Sequence, residues 1–118
     1  MRPAPAPVAP GDPLARAQEI MTAFGVREIP VVHEGRVVGI VSESDLRPHL
    51  GYLEIRPVEL AMTANPTTVH SKTLVSDVAD TLIKGRFNAV PVVSDGMLEG
   101  MVSREDLVRL LVGGWADD

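Results

Sequence analysis

The chain has 118 residues, of which 23% are charged and 45% hydrophobic, so it is long enough for one ordinary domain with a core of its own. It contains no cysteine, which excludes disulfides, thiol catalysis and thiolate metal sites. The net charge of −5 argues against nucleic-acid or anionic-membrane partners, and no apolar run reaches the ~18 residues of a membrane span, so we expect a cytoplasmic protein.

The first half of the chain predicts a helix, a β-hairpin and a second helix. Asp12 is placed to cap the first helix and Gly25 to end it. Two runs rich in β-branched residues, 29–32 and 37–41, flank a short turn that contains glycine, as the strands of a hairpin do. The second helix starts near Ser42.

The second half predicts the same elements in the same order. The predicted positions are, in chain order, a helix capped by Thr73 and ended by Gly85, strands at 90–93 and 97–102, and a helix that starts near Ser103. In each half a short extended segment precedes the first helix, and residues 51–57 connect the halves.

The two halves are copies of each other at an offset of 61 residues. Nine of the eighteen residues from 30 to 47 are identical to their counterparts, without a gap. We therefore divide the chain into repeat 1, residues 1–57 including the connector, and repeat 2, residues 58–118 including a short tail. Because ~60 residues bury too little surface alone, the sequence predicts an α+β fold in which two β-α-β-β-α repeats pack around a pseudo-twofold axis, with two related clefts between them.

Each repeat has a strand that ends in serine, followed three residues later by aspartate: Ser42 with Asp45, and Ser103 with Asp106. One interpretation is a capping box, in which the serine caps a helix and the acid binds the N–H of the capping residue. The other is a ligand site, because a helix N-terminus with a hydroxyl attracts anions and an aspartate can accept hydrogen bonds from a ribose diol. The two interpretations are compatible.

These motifs resemble a tandem pair of cystathionine-β-synthase (CBS) domains, a Bateman module. The resemblance spans residues 1–112 and rests on Pro30-Val31-Val32, Gly35, Gly39-Ile40-Val41-Ser42, Asp45-Leu46 and their second copies, together with the segment 61–69. It implies a regulatory module that needs no cofactor, binds AMP, ADP, ATP or S-adenosylmethionine in up to two clefts, and signals its occupancy to an effector protein.

The resemblance also implies a set of cleft residues. The motif aspartates hold the ribose, the motif serines contact ribose or phosphate, and the residues after the motif glycines pack on adenine: Asp45 and Asp106, Ser42 and Ser103, Ile40 and Met101. The other cleft residues precede the strand prolines or open repeat 2: Val26, Arg27, Phe87, Asn88, Thr63 and Thr67. The opening of repeat 1 lacks the matching threonine.

Two arginines, Arg27 and Arg104, are candidate phosphate partners because a guanidinium can bind two phosphate oxygens at once. For each, the alternative is a solvated surface side chain. The sequence leaves open whether Arg27 faces Asp45 or Asp106, and the resemblance favours Asp106. Arg86 is interpreted as a solvated helix-end charge.

The remaining chemistry-bearing residues predict no catalysis and no metal site. The three histidines stand at no metal-ligand spacing, and the acid pairs at the helix starts lie beside no nucleophile. We therefore expect a binding module and not an enzyme. The alternative is a structural module that pairs with itself while its clefts stay empty. Serine and aspartate in both copies favour binding.

The sequence also predicts a homodimer, because two small sheets leave apolar helix faces uncovered. The candidate seams are the faces that carry Leu14, Ala17 and Met21 in repeat 1, and Val75, Val78 and Leu82 in repeat 2. The alternative is that these faces are fully used within one chain.

Overall fold

A computed structural model describes residues 6–113, and its elements follow the repeat. Repeat 1 contains α1 (Leu14–Phe24), β1 (Glu28–His33), β2 (Arg36–Ser42) and α2 (Glu43–Leu46), which continues as a 3₁₀ turn (Arg47–His49). Repeat 2 contains a 3₁₀ turn (Val58–Leu60), β3 (Thr63–Ala64), β4 (Val69–His70), α3 (Val75–Gly85), β5 (Ala89–Ser94), β6 (Met97–Ser103) and α4 (Arg104–Gly113). The predicted α+β class is confirmed.

The hairpins β1–β2 and β5–β6 meet tip to tip, which joins the strands into one sheet of order β1-β2-β6-β5-β4, with β3 paired to β2. The Val37 N–H donates to the Gly96 carbonyl at 3.2 Å, and the Leu98 N–H donates to the Gly35 carbonyl at 3.2 Å. Each bond is the image of the other at the 61-residue offset. An approximate two-fold axis between the tips therefore relates the repeats, as predicted.

The hairpin turns explain why glycine recurs at the tips. Glu34 and Gly35 have φ of 53° and 84°, and Asp95 and Gly96 have φ of 52° and 81°. Two consecutive positive φ angles are the mark of a type I′ turn, whose twist matches that of the flanking strands. The second position is the one that glycine occupies in both copies.

The predicted helix caps at Asp12 and Thr73 are wrong. Each side chain closes the turn before its helix: the Asp12 carboxylate accepts from the Ala9 N–H at 2.8 Å, and the Thr73 hydroxyl accepts from the His70 N–H at 3.0 Å. The capping positions themselves fall to Pro13 and Leu74, which make no side-chain cap bond. These polar side chains bond backwards along the chain, so they are not available to the helices.

Each repeat has its own hydrophobic core. In repeat 1 the core contains Leu14 and Ala17 of α1, and in repeat 2 it contains Val78 and Leu82 of α3. Because these side chains are buried within the chain, they are not available as dimer seams, and the alternative interpretation holds for them. Val75, in contrast, is 49% exposed.

The packing boundary between the repeats does not coincide with the sequence boundary at residue 57. Val58 is fully buried in the core of repeat 1, and Ala61 and Met62 pack against that core. β3 then adds to β2, with Ile40 opposite Thr63. The first residues of repeat 2 thus complete the core and sheet of repeat 1 before the chain enters the core of repeat 2.

None of the helices within residues 6–113 is long and apolar enough to cross a membrane.

Candidate functional site

A cleft of about 670 Å³ opens where the end of β2 faces the chain between α3 and β5. We call it the Asp45 cleft. Both repeats line it, and it brings together eight of the residues that the sequence singled out: Arg27, Ile40, Ser42, Asp45, Thr63, Thr67, Phe87 and Asn88. These residues are up to 61 positions apart in the chain, so the cleft exists only because β3 and the start of β5 pack beside the β2–α2 junction.

The β2–α2 junction fixes Asp45. The Ser42 N–H donates to Asp45 Oδ2 at 2.8 Å, and the Asp45 N–H donates to Ser42 Oγ at 3.3 Å, which completes the capping box. Within residues 6–113, Asp45 Oδ1 accepts no hydrogen bond. The box therefore holds the carboxylate still through one oxygen and leaves the other to a ligand in the cleft.

Phe87 reaches the cleft because of Gly85. A Cβ on Gly85 would clash with the Phe87 ring, which lies against the end of α3. Gly25 follows the end of α1, as predicted, in the left-handed conformation with φ of 65°. Gly85, in contrast, is the last helical residue of α3, and Arg86 after it takes the left-handed conformation. Gly85 is thus needed for close approach of a ring and not for its backbone angle.

The charges that line the cleft are balanced, with three guanidiniums and three carboxylates: Arg27, Arg47, Arg86, Glu28, Glu43 and Asp45. Arg27 Nε lies 3.8 Å from Glu43 Oε2, and both side chains are largely exposed. Such an exposed pair adds little stability. Arg27 shares this cleft with Asp45, whereas the family resemblance favoured Asp106 as its neighbour.

Glu28 is a partly buried acid that lines the site. It lies opposite Ser42 in the β1–β2 ladder. Burial raises the pKa of its carboxyl, and the neighbouring Asn88 amide and Arg27 guanidinium oppose that rise. Glu28 was not among the predicted site residues, although its position directly after the cleft residue Arg27 is a signal in the sequence that could have revealed it.

The second Ser–Asp pair has a different environment. Its capping box is the same, with the Ser103 N–H donating to Asp106 Oδ2 at 2.8 Å. Asp106, however, is only 3% exposed, and Met101 is also buried. The cleft-lining residues Thr63, Asn65 and Pro66 of repeat 2 correspond to positions 2, 4 and 5, which lie outside the described residues.

Besides Met101, Ser103 and Asp106, two more predicted residues, Val26 and Arg104, lie outside the lining of the Asp45 cleft. Val26 lines a groove between α1 and α2, with Met21 and Leu46. The Arg104 guanidinium donates from Nε to the Phe87 carbonyl at 2.7 Å and from Nη2 to the Leu82 carbonyl at 3.2 Å. It therefore satisfies carbonyl groups at the end of α3 and positions the chain around Phe87.

Other residues of the cleft were not predicted. Arg47, Asn65 and Arg86 line it beside the predicted set. Arg86 carried a signal in the sequence, because it stands 61 residues after Gly25, the glycine that ends α1. Within residues 6–113 no group of three or more His, Cys, Asp or Glu side chains is placed to hold a metal ion.

Known proteins share this sequence and this fold. The CBS-domain family model matches residues 1–52 and 55–113. A 17.7 kDa protein in the bps2 3′ region of Acidianus ambivalens is 33% identical over 108 residues, and the match covers 89% of this chain and 66% of that protein's length.

Two solved structures resemble the chain over most of its length. The CBS domain pair of protein MJ0100, in complex with 5-methylthioadenosine and S-adenosyl-L-methionine, is 30% identical with a TM-score of 0.80, covering 94% of this chain and 90% of that one. CBSX2 in complex with AMP is 28% identical with a TM-score of 0.79, covering 90% and 87%. The two family matches, the tip-to-tip repeats and these neighbours show that the chain belongs to the CBS-domain family and carries a pair of CBS domains.

Proposed function

We propose that the chain is a regulatory module that binds an adenosine ligand in the Asp45 cleft. One observation carries this proposal: a single cleft brings together three kinds of group. They are the fixed Asp45 carboxylate, one oxygen of which accepts no hydrogen bond within residues 6–113, hydroxyl groups, and apolar side chains from both repeats. Asp45 accepts hydrogen bonds from the ribose hydroxyls, and Ser42 and Thr67 contact ribose or phosphate.

The apolar part of the cleft suits a flat base. Ile40 comes from repeat 1 and Phe87 from repeat 2, and both are partly buried. The cleft volume of about 670 Å³ lies in the range of small-molecule sites, roughly 300–1,000 Å³. The ligands of the two neighbours, AMP in one and S-adenosylmethionine in the other, support an adenosine compound.

Ser103, Asp106 and Met101, with Val26, form a second site in this proposal. Asp106 is buried, so we assign the first binding event to the Asp45 cleft, where the aspartate is accessible from the cleft. The second site takes ligand only if the chain around Asp106 opens. A ratio of one ligand per chain at moderate concentration is the expected consequence.

Occupancy reaches an effector protein through the relative orientation of the repeats. The two cores are separate: the 58–64 segment of repeat 2 packs on repeat 1, and the two hairpins meet at their tips, around Arg36 and Met97. A ligand that contacts both repeats in the Asp45 cleft adds a further connection between the two cores. This connection is a means of signalling, because it favours one orientation over others.

A homodimer is also part of the proposal. Large apolar side chains remain exposed on the helices, among them Phe24 on α1, Leu74 and Val75 at the start of α3, and Val108 on α4. A second copy of the chain is the partner we expect for them. Binding, and not catalysis, is the activity that the cleft supports.

Thermal denaturation of the whole chain tests the proposal. Adenosine, AMP, ATP and S-adenosylmethionine are each added at millimolar concentration. A ligand at a hundred times its Kd stabilises the folded state by about 2.7 kcal/mol, which raises the Tm by several degrees. No shift with any of the four would leave the structural, self-pairing module as the better description.

A further inference from the structure

Arg86 has an unusual backbone for a side chain of its size. It follows α3 in the left-handed conformation, with φ of 57° and ψ of 36°, and its N–H donates to the carbonyls of Ile83 and Leu82. Its counterpart in repeat 1 is Gly25, with φ of 65° and ψ of 32°. Glycine is the residue that adopts this conformation without steric cost, so arginine here is strained.

The Arg86 side chain makes no polar contact within residues 6–113 that would offset this strain. It is exposed, and among residues 6–113 it forms no ion pair and no side-chain hydrogen bond. Other cations near the cleft are engaged differently: Arg27 pairs with Glu43, and Arg104 donates to carbonyls of the α3–β5 segment. Arg47 also lines the cleft, but its backbone is an ordinary right-handed one.

Arg86 nevertheless lines the Asp45 cleft, beside Phe87 and Asn88. A guanidinium binds phosphate oxygens in pairs, and it binds an uncharged nucleoside far less strongly. Because three carboxylates also line the cleft, a phosphate group needs a cation that no carboxylate already engages.

We propose that Arg86 is a binding residue that holds the phosphate of a nucleotide in the Asp45 cleft. This inference rests on the proposed function, and it names the chemical class that the cleft prefers: a phosphorylated nucleoside over the free nucleoside. A strained backbone at a position suited to glycine is the cost of placing the guanidinium there.

The test is Arg86→Gly in the full chain, with AMP and adenosine as the probes in isothermal titration calorimetry. AMP affinity falls about tenfold while adenosine affinity is unchanged, because only the phosphate contact is lost. The Tm of the ligand-free variant equals or exceeds that of the wild type, since glycine relieves the backbone. Arg86→Asn, which also tolerates the left-handed conformation, gives the same loss.

A matched control removes a positive charge elsewhere. Lys72 is exposed and lies outside the cleft lining, so Lys72→Ala leaves the ratio of AMP to adenosine affinity unchanged. If wild-type protein binds both probes and the Arg86 variants keep the wild-type ratio, the Arg86 assignment is wrong while the proposed function stands. If wild-type protein binds neither probe, the proposed function fails and the Arg86 assignment fails with it.

Discussion

Glu28 and Ser42 lie opposite each other in the β1–β2 ladder, which places a partly buried carboxyl directly beside the serine that begins the ligand motif. Burial raises the pKa of Glu28 above its usual value of 4.5. The folded chain therefore holds the Glu28 proton more tightly than the unfolded chain does. Below the usual value both states are protonated and no penalty arises. As the pH rises through the interval between the usual and the raised pKa, folding loses stability.

Glu28→Gln is accordingly expected to stabilise the ligand-free chain at pH 7, and the advantage shrinks as the pH falls from the raised pKa towards 4.5 and is lost below that value. Urea denaturation from pH 3.5 to pH 8, in steps of about half a unit, measures it. The control is Glu99→Gln, at an exposed position of β6 outside the cleft, which changes the same charge. A Glu28→Gln variant less stable than wild type at neutral pH would contradict the effect of burial.

Asp45→Asn separates the structural and binding roles of that side chain. Asparagine keeps one oxygen, which can still accept from the Ser42 N–H, so the ligand-free Tm stays within a few degrees of wild type. Its NH₂ group replaces the oxygen offered to the ribose, and affinity for adenosine falls one to two decades, about 1.5–3 kcal/mol. Calorimetry with adenosine measures the loss.

Asp80 provides the comparison for that experiment. It is an exposed residue of α3 outside the cleft lining, and Asp80→Asn alters the same charge. Equal weakening by both variants would show a general electrostatic effect and would remove Asp45 from the binding site.

Gly85→Ala tests whether Gly85 is there for the Phe87 ring. On helix propensity alone, alanine should stabilise a helical position by up to ~1 kcal/mol. The added Cβ, however, meets the ring and must displace it from the cleft wall. We expect adenosine affinity to fall about three- to tenfold, as part of the stacking energy is lost. Gly11→Ala, where a Cβ meets nothing within 4 Å, leaves affinity unchanged.

Val58→Ala tests the packing boundary between the repeats. Val58 belongs to repeat 2 in the sequence, but its side chain is fully buried in the core of repeat 1. Truncation to alanine therefore lowers the free energy of unfolding by roughly 2 kcal/mol. Chemical denaturation measures the change. Leu60→Ala, two residues on and 62% exposed, costs under about 0.5 kcal/mol. Similar losses at the two positions would mean that the 58–62 segment does not pack as described.

The sequence by itself determined the features that a few neighbouring residues control. The repeat predicts two hairpins because each short join between two β-branched runs contains a glycine, Gly35 in repeat 1 and Gly96 in repeat 2, and glycine favours a tight hairpin turn. It predicts two Ser–Asp capping boxes, and both form with N–H to carboxylate distances of 2.8 Å. These contacts span three residues, so the local chain alone is sufficient to form them.

The tertiary structure decided how two locally identical motifs differ. Asp45 lines an open cleft and Asp106 is buried, although each closes the same box with its serine. What separates them is the packing of distant segments around each box, and such packing depends on contacts that local pattern does not encode. The same holds for Arg86. It lines the Asp45 cleft because the α3–β5 segment lies against the end of β2, which is about 40 residues earlier in the chain. This long-range contact forms only when both repeats fold together.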